Sequence, residues 1–259
     1  MQTGALTQYV DVAQVTLYVF WFFFAGLIVY LHRENKREGY PLVSERGNAR
    51  VKIQGFPAVP RRKTFYLPHG HKMTVPREEV EPAIAASPIG LWPGAPLEPT
   101  GNPLVDAVGP ASYSMRANEP DLGYDDGLPK LMPLRVATDW WVAEEDPDPR
   151  GFSVVAADGK VAGTVTDVWI DRAETMLRYV EVAVPTASGT RLVLVPAMLA
   201  RFDGERREVK VVSVMAHHFA DAPTLANPDV VTLREEDRVS AYFGGGHLYA
   251  HPDRLGSIL

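Results

Sequence analysis

Val12 to Leu31 reads VAQVTLYVFWFFFAGLIVYL, twenty residues without a charge, bounded by Asp11 before it and His32-Arg33-Glu34 after it. At about 1.5 Å per residue, a helix of this length covers the roughly 30 Å hydrocarbon core of a bilayer. No later stretch approaches it. The expected arrangement is one membrane-spanning helix over residues 12–32, with most of the mass outside the membrane. Residues 1–11 carry no Lys or Arg, whereas Arg33, Lys36, Arg37, Arg46, Arg50 and Lys52 follow the run. The positive-inside rule then places the C-terminal side in the cytoplasm. Trp21 to Phe24 fall mid-span, while Tyr18 and Tyr30 lie nearer the ends, where a ring with a polar tip suits an interface. A cleaved signal peptide wants a basic start and a shorter apolar stretch, and this sequence has neither.

More than 200 residues follow the run, enough for one substantial domain with its own core. Cysteine is absent, which excludes disulfides, thiolate-bound metals, iron–sulfur clusters and thiol catalysis. A formal net charge of −6 argues against a general nucleic-acid binder. The charge is uneven, with basic residues gathered just after the apolar run. Such a segment suits anionic lipid headgroups, at about 1 kcal/mol per Lys or Arg near the surface.

Arg33 to Glu38 should continue the helix into water until Gly39-Tyr40-Pro41 ends it. Residues 41–110 are rich in proline and glycine, so long helices are excluded and only short extended pieces are expected, such as Lys63–Leu67 and Lys72–Val75. The segment also carries Phe56, Phe65, Tyr66, Leu91 and Trp92, which a disordered linker does not need. It reads as an extended segment lying over a partner's surface. From Phe152 to Val214 the pattern changes. Val154–Val165 brackets an Asp158-Gly159 turn, Leu177–Val184 alternates, and Arg191–Pro196 and Glu208–Val214 are strand-like, with a further turn at Asp203-Gly204. Short strands with turn chemistry between them predict a small antiparallel barrel or sandwich. Thr232 and Glu235 form a capping box, so a short helix should follow, stopped by Gly244-Gly245-Gly246.

No nucleophile–base set is visible. His69 and His71 alternate in a predicted strand and would share a face, but two ligands are too few for a structural metal site. His217 and His218 are neighbours and would point to opposite faces of a strand. The acidic positions carry more chemistry. Asp167, Asp171 and Glu174 lie at a strand end and turn, with Arg178 and Glu181 close in sequence. Carboxylates sharing a site repel, which raises some pKa values and lets the groups pass protons near neutral pH. The plain alternative is a set of solvated turn carboxylates.

Several motifs recur in order behind the apolar run. They are Phe20-Trp21 with Ala25–Ile28, Arg37–Leu42, Lys63-Thr64-Phe65, Leu67–Gly70, Ala95-Pro96, Pro99-Thr100-Gly101, Gly109–Ser112, Val168–Asp171, Leu233–Asp237, and Gly245-Gly246 with Tyr249-Ala250. In these the chain resembles the H subunit of the photosynthetic reaction centre of purple bacteria. The resemblance implies a single N-terminal transmembrane helix, a mostly-β cytoplasmic domain built on the small barrel named after these reaction centres, and a short C-terminal helix. It implies no pigment or cofactor on this chain. Bacteriochlorophyll, bacteriopheophytin, quinones and non-haem iron would sit in the L and M partner subunits, which this subunit would cap on the quinone side. A light-harvesting antenna, a bound cytochrome subunit and membrane lipids are further expected partners, and the location is the bacterial inner membrane.

On that resemblance, residues 1–11 are periplasmic, 12–32 span, 33–110 form the extended juxtamembrane segment, and 111–259 hold the barrel and C-terminal helix. The family's proton-uptake residues map to Asp171, Glu174, Arg178, Glu181 and Glu236. A second acidic position before the last helix is Val230 here, with Asp229 beside it. The family's histidine entry falls on Pro120–Asp126, which has no histidine, leaving Asp121, Asp125 and Asp126 as an acidic mouth. The expected role is assembly and shaping of proton delivery to the secondary quinone, not turnover. The alternative is a single-pass membrane adaptor that uses such a barrel in another assembly.

Overall fold

The structure is a computed structural model that describes residues 4, 6–7, 9–44, 51–77, 83–92 and 94–255. The chain divides into two units, Met1–Pro82 with Gly90–Pro96, and Ala83–Ile89 with Leu97–Leu259.

The apolar run forms helix α1, Val12–Asn35. Its N-cap is Asp11, whose carboxylate accepts from the Gln14 N–H at 2.7 Å. None of its residues is buried within the chain, and it is long and apolar enough to cross a membrane. The helix stops three residues short of the expected Glu38. Lys36 explains this. It is buried, and its ammonium donates to the carbonyls of Gln54 and Pro57, both at 2.7 Å. A lysine surrendered to those carbonyls turns the backbone away from the helix axis, and Gly39, at φ +71°, completes the turn.

The described part of the proline-rich region holds short antiparallel pairs, in which the expected pieces Lys63–Leu67 and Lys72–Val75 appear. Strand β1 (Leu42–Ser44) pairs β2 (Val51–Ile53), and β3 (Lys63–Tyr66) pairs β4 (Lys72–Val75), both antiparallel and both in the first unit. Pro68–Gly70 is a 3-10 turn between β3 and β4, so His69 lies within the turn and His71 just after it, and the two do not alternate along a strand. Strands β5 (Ala86–Pro88) and β6 (Leu97–Pro99) pair in the second unit. Proline in these pieces removes ladder donors and keeps each strand to three or four residues.

The second unit is built on one curled sheet. Its strands are β7 (Leu131–Pro133), β8 (Ser153–Ala156), β9 (Val161–Asp171), β10 (Met176–Thr186), β11 (Gly189–Pro196), β12 (Ala200–Asp203) and β13 (Glu208–Val211). The order is β11-β10-β9-β8-β13-β12, with β7 added to β9. The Asp158-Gly159 and Asp203-Gly204 turns lie where the dipeptides predict them, between β8 and β9 and between β12 and β13. All pairs are antiparallel except β8 with β13, which run parallel because the chain returns to β8 from the far side. The expected last strand ends at Val211, since Val212–Val214 turn away from β8.

Val154, Val168, Trp169, Val180, Val182, Val195, Val209 and Val211 form the centre of the core and are almost fully buried. Phe219 and Phe243 close it in an edge contact. Phe243 comes from helix α2, Leu233–Tyr249. The capping box is present, with the Glu235 N–H donating to Thr232 Oγ1 and the Thr232 N–H to Glu235. The glycine run does not stop this helix. It continues three residues past Gly246, because Gly245 and Gly246 are where it packs tightest. A Cβ on Gly245 would sit 2.6 Å from the Ala111 Cβ, and one on Gly246 would sit 2.6 Å from the Ser213 carbonyl oxygen. His217 and His218 belong to a 3-10 turn, Ala216–Ala220, and not to a strand. Their rings lie 3.9 Å apart, His217 exposed and His218 buried, with His218 Nδ1 accepting from the Met215 N–H.

Candidate functional site

The β9–β10 ladder carries two register shifts, one at Arg178, an extra residue in β10, and one at Thr166, an extra residue in β9. A bulge inserts one residue and re-aims those beside it. Here it puts Tyr179 opposite Trp169 and Glu181 opposite Asp167. Two acids facing each other across strands repel. Arg135, just past β7, resolves this by donating Nη1 to Asp167 at 3.1 Å and to Glu181 at 3.0 Å. Its Nε donates to Asp229 at 2.9 Å, and Nη2 to the Pro228 carbonyl. The guanidinium also lies 5.9 Å from the Trp169 ring centroid. These partners hold the Arg135 charge against the cost of partial burial.

Glu181 is the most enclosed carboxylate of the group, with its side chain 5% exposed. It accepts from Arg135, from Thr166 Oγ1 at 2.9 Å and from Trp169 Nε1 at 3.3 Å. It also borders a cleft of about 370 Å³ lined by Arg191, Leu192, Leu194, Thr224, Leu225 and Pro228. Tyr179, the strand partner of Trp169, donates its hydroxyl to Glu236 Oε2 at 3.4 Å. Glu236 sits in the first turn of α2. Burial raises its carboxyl above the ordinary range, and the nearby Arg116 and Arg178 only partly offset this. Burial, with the Glu236 charge beside it, pushes the Tyr179 phenol up to about 12.

Asp171, Glu174 and Arg178 form a separate group at the β9–β10 turn. Asp171 is buried, and its Oδ1 accepts the N–H groups of Ala173 (3.0 Å) and Glu174 (3.1 Å), so one carboxylate oxygen fixes the turn. Thr175 completes it at φ +53°. Glu174 stands at the tip with its side chain 62% exposed, 3.8 Å from Arg178. Arg178 is the extra residue of the first bulge, which directs it toward both Glu174 and Glu236.

The 121–130 loop is stitched against the same turn. Arg172 N donates to the Lys130 carbonyl at 2.9 Å, and its guanidinium donates to the Pro129 carbonyl and to Asp126 at 2.6 Å. Asp121 pairs with Lys130 at 2.9 Å and contributes to the field at Glu236. The Leu128 N–H and Arg172 hold the Asp126 carboxyl below its usual range. Asp125 is exposed at the loop tip. The three aspartates therefore differ. Asp121 and Asp126 are each matched by a cation, whereas Asp125 is exposed and makes no side-chain ion pair among the described residues.

Of the residues the sequence singles out, the structure brings Asp121, Arg178 and Glu236 into one electrostatic neighbourhood, with Glu174 joined through Arg178. Glu181 lies apart from them, with Arg135 and Asp167. Sequence reasoning does not reach Arg135 or Tyr179. Arg135 has no local signal, because its partners lie 32, 46 and 94 residues away. Among the described residues, no group of three or more His, Asp or Glu is placed to hold a metal ion.

Residues 4–136 match the family described as photosynthetic reaction centre, H-chain N-terminal region. Residues 142–214, which hold β8 through β13, match the PRC-barrel domain. The first match covers half the chain and includes α1 and the hairpin region, which a barrel in an unrelated adaptor would not share. That family is a non-enzymatic subunit, and membership implies association with the L and M subunits in a membrane. The chain belongs to the reaction-centre H-chain family and is an H subunit of a photosynthetic reaction centre.

Proposed function

We propose that this subunit caps the quinone side of L and M and shapes proton delivery to the secondary quinone. In this reading α1 spans the bilayer with residues 1–11 in the periplasm, and the PRC-barrel unit lies in the cytoplasm. The Lys and Arg residues that follow α1 support that orientation, because positive flanks are retained on the cytoplasmic side. The observation that carries the reading is Glu236. It is a half-buried carboxylate with a raised pKa, bonded to Tyr179 and flanked by Arg178, which also pairs with the exposed Glu174. A carboxylate tuned upward exchanges protons closer to neutral pH than a solvated one. In this reading Glu174, exposed at the tip of a turn fixed by Asp171, hands protons onward to the partner side. Asp125 and Asp121 are the solvent-side acids of this path, standing where a histidine entry would otherwise be.

Removal and return of the subunit test this reading. L–M complexes stripped of this chain should keep the first electron transfer to the secondary quinone but show slowed second transfer and slowed proton uptake. Adding the purified chain back should restore both. Unaltered second-transfer kinetics in the stripped complex would oppose the proposal. Protease added to inside-out cytoplasmic-membrane vesicles should digest the barrel unit, and its protection there would reverse the orientation.

A further inference from the structure

From Arg61 to Val75 the chain carries Arg61, Arg62, Lys63 and Lys72 and no Asp or Glu. This stretch contains the β3–β4 hairpin. All four side chains of β3 are exposed, with Tyr66 78% and Phe65 38% accessible. A two-stranded hairpin is marginal in water, and one that exposes its aromatic rings calls for a covering surface. The cations and rings are already paired. Lys63 Nζ lies 4.8 Å from the Phe65 ring centroid, and Lys72 Nζ 5.4 Å from that of Tyr66. Arg61 and Arg62 make no side-chain ion pair among the described residues.

The hairpin is also tied to the end of α1. Arg37 Nη1 donates to the Arg61 carbonyl at 2.8 Å, and Lys63 Nζ lies 3.9 Å from Glu34 in the last turn of the helix. Lys36 holds the approach to the hairpin through the Gln54 and Pro57 carbonyls. If α1 spans a bilayer, these bonds fix the basic strand at the headgroup level on the side where the helix leaves the membrane. Aromatic rings with cations beside them suit that level, the rings among the upper acyl chains and the cations among phosphates.

We propose that the β3–β4 hairpin, through Arg61, Arg62, Lys63, Lys72, Phe65 and Tyr66, is a docking surface for anionic lipid headgroups. The inference rests on the membrane-anchored reading of α1. It goes beyond that reading, because the hairpin lies about thirty residues past the helix and holds its own cations. An acidic protein surface would match the charge alone. The bonds to the last turn of α1 favour lipid, since they hold the hairpin at the depth where headgroup phosphates lie.

Amide exchange of the full chain reconstituted in vesicles tests the proposal. One set of vesicles is phosphatidylcholine alone, and the other contains three parts in ten of phosphatidylglycerol. Residues 61–75 should exchange about tenfold more slowly with phosphatidylglycerol, and high salt should abolish the difference. A variant carrying Arg61→Gln, Arg62→Gln, Lys63→Gln and Lys72→Gln should lose the difference while keeping the exchange pattern of the barrel unit. Equal exchange of 61–75 in the two vesicles, with residues 12–35 slow in both, overturns the lipid proposal alone. Fast exchange of 12–35 in both vesicles overturns the anchor and the proposal with it. Equal slowing by inorganic phosphate over phosphatidylcholine vesicles overturns the assignment to lipid. So does slowing in the L–M complex in phosphatidylcholine that phosphatidylglycerol does not increase.

Discussion

Arg135 joins two carboxylates that are almost fully enclosed, Asp167 and Glu181, whose side chains are 7% and 5% exposed. Removing one partner of a buried ionic group leaves uncompensated charge, which costs more than the intact group contributes. Arg135→Met should therefore lower the unfolding free energy by about 3 kcal/mol. Denaturant titration of the full chain measures this, and a change below about 0.5 kcal/mol, the size of an ordinary surface substitution, would contradict the assignment. Glu236 gives a pH-dependent counterpart. Burial raises its folded pKa, so the folded protein binds this proton more tightly than the unfolded chain. The stability tied to that proton is fully present below the unfolded carboxylate pKa and is lost as pH rises through the folded value. Glu236→Gln should thus melt higher than the parent at pH 7 and together with it at pH 4, and a constant gap at both would refute the buried-carboxylate account. The same scale shows what the sequence could reveal. Asp171 and Glu174 are legible as a strand end and turn, because an Asp that accepts N–H groups two and three residues on is a local device. The Glu181–Asp167 pairing is not, because it depends on a bulge and on an arginine delivered from the turn after β7.

Helix α2 sets the element scale. Its start is readable, since a Thr232–Glu235 capping box acts within one turn. Thr232→Ala should cost about 1 kcal/mol. Its end is not readable, because glycine serves both as a helix stop and as a place of close approach. The two uses separate on substitution. Gly244 has nothing within 4 Å of an added Cβ, so Gly244→Ala should stabilise the chain by about 1 kcal/mol through helix propensity. At Gly246 the added Cβ would meet the Ser213 carbonyl at 2.6 Å and a Val214 methyl at 2.4 Å. Gly246→Ala should destabilise by about 1–3 kcal/mol despite the better propensity. Thermal unfolding of the two variants checks the pair, and shifts of the same sign would contradict the packing account. The strands fall between these cases. Asp-Gly turns and alternation give β8 through β11, whereas the parallel pairing of β13 with β8 joins residues 55 positions apart and leaves no local trace. The three residues by which α1 falls short of Glu38 have a similar origin, since Lys36 is drawn out of water by carbonyls 18 and 21 residues away.

At the scale of the whole molecule, an apolar helix, a hairpin-rich segment and a PRC-barrel unit occur together in a reaction-centre H subunit. Its polar groups fall into a tightly paired cluster and a loosely paired one. Around Arg135 the acids are fully matched, which suits holding the sheet together. Around Glu236 they are matched only in part, and Glu174 at the turn tip is exposed to whatever lies against this face. We propose that the loosely paired cluster delivers protons to the secondary quinone. Glu174→Gln keeps the size and removes the titrating carboxyl, with its charge toward Arg178. In this reading the second electron transfer to the quinone is coupled to protonation, so it should respond more than the first. Flash spectroscopy of the assembled complex across the neutral pH range resolves the two steps. The account predicts a slowing of the second transfer in Glu174→Gln of about a hundredfold, the lower end of what a general acid–base group contributes, with less change in the first. An unchanged second transfer, with proton uptake as fast as in the parent complex, would contradict it.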